Sequence, residues 1–225
     1  MKRLIGIIGF TLLLSQPMLA QSVVTVDLQK SSSVTITGST NIVSFKLLFP
    51  GDMLPKKNFL ITATQNQNRI LLSQTQMSIA VKDFTSNNKM ALRDFLKLIK
   101  YKSYPFIQVQ LNYIDLKQNA DKSKLTKGNA YANITITGIT KQYCFPISAD
   151  SDGENYFLNG RKNISIRDFG LVPPVEMMGL IKVSEWIDLD FHIVCKIALN
   201  KADQAELCPK SIDRFDKLYR SEINR

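Results

Sequence analysis

Apolar residues recur at every second position through most of this chain. Ile187, Leu189, Phe191 and Ile193 share one phase of its last long apolar stretch, and Asp188, Asp190 and His192 share the other. Successive side chains of a pleated strand point to opposite faces, so this spacing predicts a strand with one face in an apolar interior and one in water. The same period runs through Val43, Phe45, Leu47 and Phe49, through Met77, Ile79 and Val81, and through Ile107, Val109 and Leu111. Residues 23–49 read as two or three strands broken at Gly38, residues 59–64 as a short one, and residues 74–84 as another. Residues 131–149 read as a hairpin turning at Gly138, with Tyr143, Phe145 and Ile147 on the apolar phase and Cys144 on the other. Residues 156–166 read as strand with a turn at Asn159-Gly160. A loop holding Gly170, Pro173, Pro174 and Gly179 then leads into the final strand.

One segment changes period. Leu92, Phe95, Leu96 and Ile99 fall at i, i+3, i+4 and i+7, the stripe of an amphipathic helix. Ser86-Asn87-Asn88 supplies capping side chains before it, and Pro105 lies just beyond its end. A single helix cannot cover the apolar face of so many strands. Closing the sheet on itself does so, and removes its exposed edges as well. The expected fold is therefore mainly β: an antiparallel barrel with one helix and a charged C-terminal tail over residues 200–225, where Ile212, Phe215 and Leu218 have helical spacing. The helix stripe is expected to pack on the outside of the sheet in preference to capping a barrel mouth.

Composition adds a compartment. Lys2 and Arg3 precede an apolar run, Leu4 to Leu14, that is too short to cross a bilayer, and Met18-Leu19-Ala20 offers a cleavage site before Gln21. Residues 1–20 thus read as a secretory signal and residues 21–199 as the barrel domain, which places the mature protein in the periplasm or outside the cell. The formal net charge is +10, two units of which leave with Lys2 and Arg3. The other basic residues are dispersed, with small groups at Lys56-Lys57 and at Lys97, Lys100 and Lys102. No basic face interleaved with aromatics points to nucleic acid. The dispersed charge reads first as a solvated surface, and weak attraction to anionic lipid headgroups at a membrane surface is the functional alternative. An oxidising compartment permits one disulfide among Cys144, Cys195 and Cys208. Cys195 is nearest to Cys208 in sequence and Cys144 is also within reach, so spacing alone does not choose the pair.

Catalytic chemistry has no motif behind it. His192 is the only histidine and alternates with the inward residues, no C-x-x-C or H-E-x-x-H metal spacing occurs, and neither G-x-S-x-G nor a P-loop is present. Asp188 and Asp190, two apart on one strand face, read as a solvated acidic pair. The expectation is a protein that is not an enzyme, with no metal site.

Four segments resemble the YceI-like family. They are Gly38-Ser39-Thr40-Asn41 with Phe45 after it; DFTSNNKMALRDFLKLIKYKSYPFIQVQL, Asp83 to Leu111; ITITGITKQYCFPI, Ile134 to Ile147; and Arg167-Asp168-Phe169-Gly170. They follow one another in the family's order. Ala91 after Met90 departs from the acidic residue often found there, and the tail beyond Lys196 has no counterpart. The resemblance implies a lipocalin-like barrel with an elongated apolar interior, in an exported bacterial protein that holds a polyisoprenoid chain such as an isoprenoid quinone. The inward residues that would line such a site are Phe45, Leu47, Ile107, Val109, Leu111, Ile187, Leu189 and Phe191. An isoprenoid tail has almost no hydrogen-bonding groups, so a lumen of this kind suits it. The competing reading is an interaction module that uses the same barrel with a filled core. Trp186, just before the last strand, falls in the outward phase, which fits a place at a barrel mouth and a structural role under a loop equally well.

Mass spectrometry of the protein isolated from the cell envelope or medium is expected to give a chain beginning at Gln21. Retention of residues 1–20 would overturn the signal assignment.

Overall fold

The computed structural model describes residues 20–54, 57–117, 126–176 and 180–199. Residues 1–19, which fall within the expected signal, and the tail from residue 200 lie outside these. Ala20–Leu28 (β1) and Ser33–Ser39 (β2) run end to end as one kinked lane. Ser44–Pro50 (β3) and Asn58–Asn66 (β4) run back beside them as a second lane, with Gly38 opposite Phe45, Val34 opposite Phe49 and Val26 opposite Phe59. Arg69–Ser73 (β5) and Met77–Ala80 (β6) make a third. Then come Phe106–Leu116 (β7), Thr126–Ile136 (β8), Ile139–Ser151 (β9) and Tyr156–Ser165 (β10). A short hairpin of Val175–Glu176 (β11) and Ile181–Lys182 (β12) precedes Trp186–Leu199 (β13). In the main sheet all pairings are antiparallel, and β13 pairs with β10, β2 and β1, which closes a ring of 8 strands in the order β1-β4-β5-β7-β8-β9-β10-β13.

Alternation dictates the core. Registers such as Ile36 with Leu47, Ile36 with Leu189, and Ile134 with Val109 put the apolar phase of each strand on the inner wall. Small residues pave part of that wall: Gly128, Ala130 and Ala132 on β8 are all buried. The β8–β9 turn is made by Thr137 and Gly138 with φ of 51° and 82°, the mirror-image turn whose twist suits a tight hairpin. At Gly128, a Cβ would sit 2.6 Å from the Asp115 carbonyl oxygen, so glycine permits the close approach beside the irregularity between Leu111 and Tyr113.

The two ends of the barrel differ. One end carries the β2–β3 turn, the β8–β9 turn, the helix and the long β10–β13 connection. The other carries the β4–β5, β7–β8 and β9–β10 connections. At the first, helical end, Lys89–Leu98 forms helix α1, capped by the Asn88 side chain, which accepts a hydrogen bond from the Ala91 N–H at 3.0 Å. The helix does not lie on the sheet exterior as its stripe suggests. Phe95 meets Phe84 with ring centroids 5.2 Å apart, and Phe84 meets Phe49 at 5.4 Å, so the apolar stripe joins the interior core. The reason is a seam at the helical end beyond the eight-stranded ring: β3 and β6 do not pair, and Leu48 and Thr85 exchange backbone hydrogen bonds of 2.8 Å beside it. An apolar helix face beside an open seam is buried more completely there than on a wall whose outer face is polar.

β5 carries no expectation from the sequence, because Leu71 faces outward beside the inward Leu72 and blurs the period of two. Two other expectations are corrected. Residues 74–84 are not one strand: β6 ends at Ala80 and a 3-10 turn over Val81–Asp83 turns Val81 and Phe84 into the core. Asn159-Gly160 is not a turn either, because β10 runs straight through it.

Phe49→Ala is expected to lower unfolding free energy by about 3–5 kcal/mol, the range for deleting a fully buried ring. The outward Lys46→Ala beside it should stay within about 0.5 kcal/mol of the parent. Urea unfolding monitored by circular dichroism measures both.

Candidate functional site: the barrel interior

All eight residues that alternation assigns to the interior lie on the inner wall. Phe45 and Leu47 on β3 and Ile187, Leu189 and Phe191 on β13 flank β2 on either side, with Ile36 between Leu47 and Leu189. Ile107, Val109 and Leu111 form a separate group on β7, paired with Ile136, Ile134 and Ala132 or lying beside them on β8. They are not equally enclosed. Leu47 and Ile107 are buried among their neighbours, whereas Phe45, Val109, Leu111, Ile187, Leu189 and Phe191 remain half-buried. Sequence reasoning missed the inner-wall residues Ile114 and Leu158, and it put Ile193 and Tyr143 on the apolar phase without counting them in the lining set; all four are half-buried. Ile193 had a usable signal in its phase with Phe191. Leu158 was hidden by the mistaken turn at Asn159-Gly160.

Phe191 owes its position to a glycine. A Cβ built on Gly160 would lie 2.3 Å from the tip of the Phe191 ring, so the ring lies flat against the β10 backbone where other residues would block it. Phe45 rests in the same way on Gly38, at 2.5 Å. Each aromatic therefore covers the wall beside it. Phe191 also meets Phe145 edge to face at 5.6 Å, which fixes the ring's tilt. One cation joins this surface: Lys162 pairs in register with Leu189 and so belongs to the inner phase of β10.

Arg167-Asp168-Phe169-Gly170 seals the helical end. It forms a 3-10 turn over Ile166–Phe169, with the Ser165 hydroxyl accepting from the Arg167 N–H and Gly170 taking a left-handed φ of 67°. Phe169 is only 1% exposed and packs against Tyr143 at 6.0 Å. The Tyr143 hydroxyl donates to Asp168 at 2.7 Å. Burial, and then the neighbouring carboxylate, push the Tyr143 phenol well above its ordinary value, so it stays protonated where exposed tyrosines ionise. Arg167 is paired with Glu185 at the foot of β13. The motif thus fastens the end of β10 to the start of β13 and places an aromatic plug between them.

The outer face holds the polar phase. Asp188 accepts from Arg161 at 2.7 Å and from Asn163 at 2.9 Å, and Asp190 lies 3.5 Å from the same guanidinium. The Asn163 and Arg161 hydrogen bonds hold the Asp188 carboxyl below its ordinary value. The acidic pair is therefore neutralised by arginine within the sheet. His192 shares a hydrogen bond of 2.6 Å with Asn159. Among the described residues, no group of three His, Cys, Asp or Glu side chains is arranged to hold a metal ion. Cys195 is buried on the inner phase, and desolvation raises its thiol above the ordinary value, while Cys144 lies on the outer phase opposite Tyr131. The two are not bonded to each other, and Cys208 lies outside the described residues.

A closed antiparallel ring with an apolar inner wall, one stoppered end and a covering helix defines a small interior-lined β-barrel. The model of the YceI-like domain matches residues 19–195, and the chain belongs to that family. Among solved structures it is similar to BcnA of Burkholderia cenocepacia, with 18% identity and a TM-score of 0.53, over 75% of this chain and 99% of that one. A polyisoprenoid binding domain from Saccharophagus degradans, implicated in plant cell wall breakdown, gives 10% identity and a TM-score of 0.49 over 80% and 99%. The Campylobacter jejuni YCEI protein gives 16% and 0.40 over 65% and 82%. No curated protein matches the chain.

Gly160→Ala is expected to lose about 1–3 kcal/mol, because the added methyl displaces the Phe191 ring from the wall. Phe191→Leu in the same chain should recover part of that loss. A double-mutant cycle from urea unfolding measures the coupling, and strict additivity would show that the ring does not rest on Gly160.

Proposed function

We propose that this protein is an exported carrier that holds an apolar chain of the polyisoprenoid class, such as an isoprenoid quinone tail, inside its barrel. One observation carries the reading. Val109, Leu111, Leu189, Phe191 and their inner-phase neighbours Ile114 and Leu158 belong to the inner wall of a closed ring, yet all remain half-buried. An inward side chain of a fully packed barrel loses its whole surface to its neighbours. Apolar surface left free on the inside favours an apolar guest.

The chemistry suits an isoprenoid. Its carbons need no hydrogen-bonding partners, and each methylene-sized group buried is worth about 0.8 kcal/mol. Several isoprene units therefore offset the cost of ordering the chain. Phe45 and Phe191, laid flat on glycines, present ring faces over which a thread-like guest slides without specific hydrogen bonds. Lys162 supplies one polar group beside that surface, suited to a carbonyl or phosphate at the guest's head. Family membership supports the same reading, and export would place the protein where its guest is exchanged between membranes.

Organic extraction of the purified protein followed by mass spectrometry is expected to release an isoprenoid lipid, and the emptied protein should take up added quinone. Leu189→Asp or Phe191→Asp should abolish uptake, while His192→Ala on the outer face leaves it unchanged. An empty extract with no uptake would favour a filled-core interaction module. Equal loss from inner and outer variants would mean that stability alone was measured.

A further inference from the structure

At the helical end the β2–β3 turn is tied to Leu180 and the start of β12. The Asn41 side chain donates to the Leu180 carbonyl at 3.0 Å and accepts from the Lys182 N–H at 3.0 Å, and Thr40 bridges to Val183. A segment held this firmly would be expected to turn its large apolar side chains inward. Instead Ile42, Val43, Val172, Leu180 and Trp186 are all more than half exposed, from 52% at Trp186 to 72% at Leu180. Scattered exposed apolar residues need no explanation, but a cluster along one rim marks a contact surface.

The neighbouring part of the same rim is basic. Helix α1 and residues 100–103 border a groove of about 540 Å³, floored by Leu92 and Leu96 and edged by Lys89, Lys97, Lys100 and Lys102. Part of this charge works against the fold, although Lys97 in the last turn suits the helix dipole. Lys89, Arg93 and Lys97 repeat at i, i+4, a spacing at which like charges repel. Lys89 stands in the first turn, where the helix dipole favours acids and none is present. Lys100 takes a left-handed φ of 53° just past the helix, a position that glycine fills at less strain. Arg93 is answered by Asp94 at 3.2 Å, but none of the four lysines forms an ion pair with a described residue. Unanswered cations beside exposed apolar side chains call for a partner that is anionic and greasy together. A soluble phosphate compound would leave the exposed apolar cluster unexplained.

We propose that the helical end is a docking face for an anionic phospholipid bilayer. Ile42, Leu180 and Trp186 enter the boundary between headgroups and acyl chains, and the lysines of the α1 groove meet lipid phosphates. Tryptophan suits such a boundary because its ring is apolar and its N–H is polar.

Trp186 is the chain's single tryptophan, so it reports its own insertion. The full mature protein is mixed with vesicles of equimolar phosphatidylglycerol and phosphatidylcholine, or of phosphatidylcholine alone. Expected results are co-sedimentation with the anionic vesicles, a blue shift of Trp186 emission, and weakening by added sodium chloride. Lys97→Glu with Lys100→Glu, and separately Ile42→Asp with Leu180→Asp, should weaken binding by about 10-fold or more. Lys117→Glu with Lys127→Glu makes the same charge change at the opposite end and should bind like the parent. Absence of vesicle binding by the parent, or equal loss from the opposite-end pair, overturns the proposal. Near-ultraviolet circular dichroism verifies that each variant is folded. Lipid content after solvent extraction is read separately, so loss of docking with the guest retained is told apart from failure of the carrier reading.

Discussion

The final strand holds three neighbours at once, and the rest of the molecule hangs on that arrangement. β13 pairs with β10 along one edge; on the other it pairs with β2 over its first half and β1 over its last. The join between β1 and β2 is a kink that would leave buried backbone groups without partners. Ser32 resolves it. Its hydroxyl donates to the Val194 carbonyl at 3.1 Å and accepts from the Val194 N–H at 3.0 Å, and its own carbonyl accepts from the Gly51 N–H at 2.7 Å. Gln29 adds a backbone bond of 2.8 Å to the same Val194 carbonyl. Buried donors and acceptors are costly when unpaired, so these bonds allow one bent lane to close the ring where two straight strands would leave an edge.

Closure separates inside from outside and lets the two ends take different tasks. At the helical end Phe49, Phe84 and Phe95 form an aromatic chain, while Phe169 and Val81 lose nearly all their surface. The packed interior extends past that end, where Leu28, Phe59, Phe145 and Ile147 are also buried. Along the same wall Phe45, Val109, Leu111, Leu189 and Phe191 are only half-buried. A barrel packed alike along its whole length would have no room for a guest, and one open along its whole length would lack a core.

The loops at the helical end do more than connect strands. Arg167-Asp168-Phe169-Gly170 fastens two strands through an ion pair, a tyrosine hydrogen bond, a buried ring and a left-handed glycine. The β2–β3 turn beyond it is pinned to β12 by hydrogen bonds yet apolar on its surface. Rigid and greasy together are the properties of a contact face, and the basic groove beside it gives that face a preferred charge.

Much of this was legible in the chain. The two-residue period alone assigned every residue of the proposed inner set to the correct face, because a pleated strand leaves no third orientation, and the shift to a period of 3.6 located α1 with its Asn88 cap. Closure followed from counting apolar faces against a single helix. Other features were decided only by neighbours far away in sequence. Gly160 looks like a turn residue until Phe191, from another strand, is seen to need the space. The stripe of α1 is equally compatible with a wall or a seam, and the unpaired gap between β3 and β6 chose the seam. Whether an inward residue is fully buried, like Leu47, or only half-buried, like Leu189, depends on what stands opposite it across the barrel. Local pattern fixes the direction of a side chain; only the packed fold determines whether another atom already occupies the place it points to.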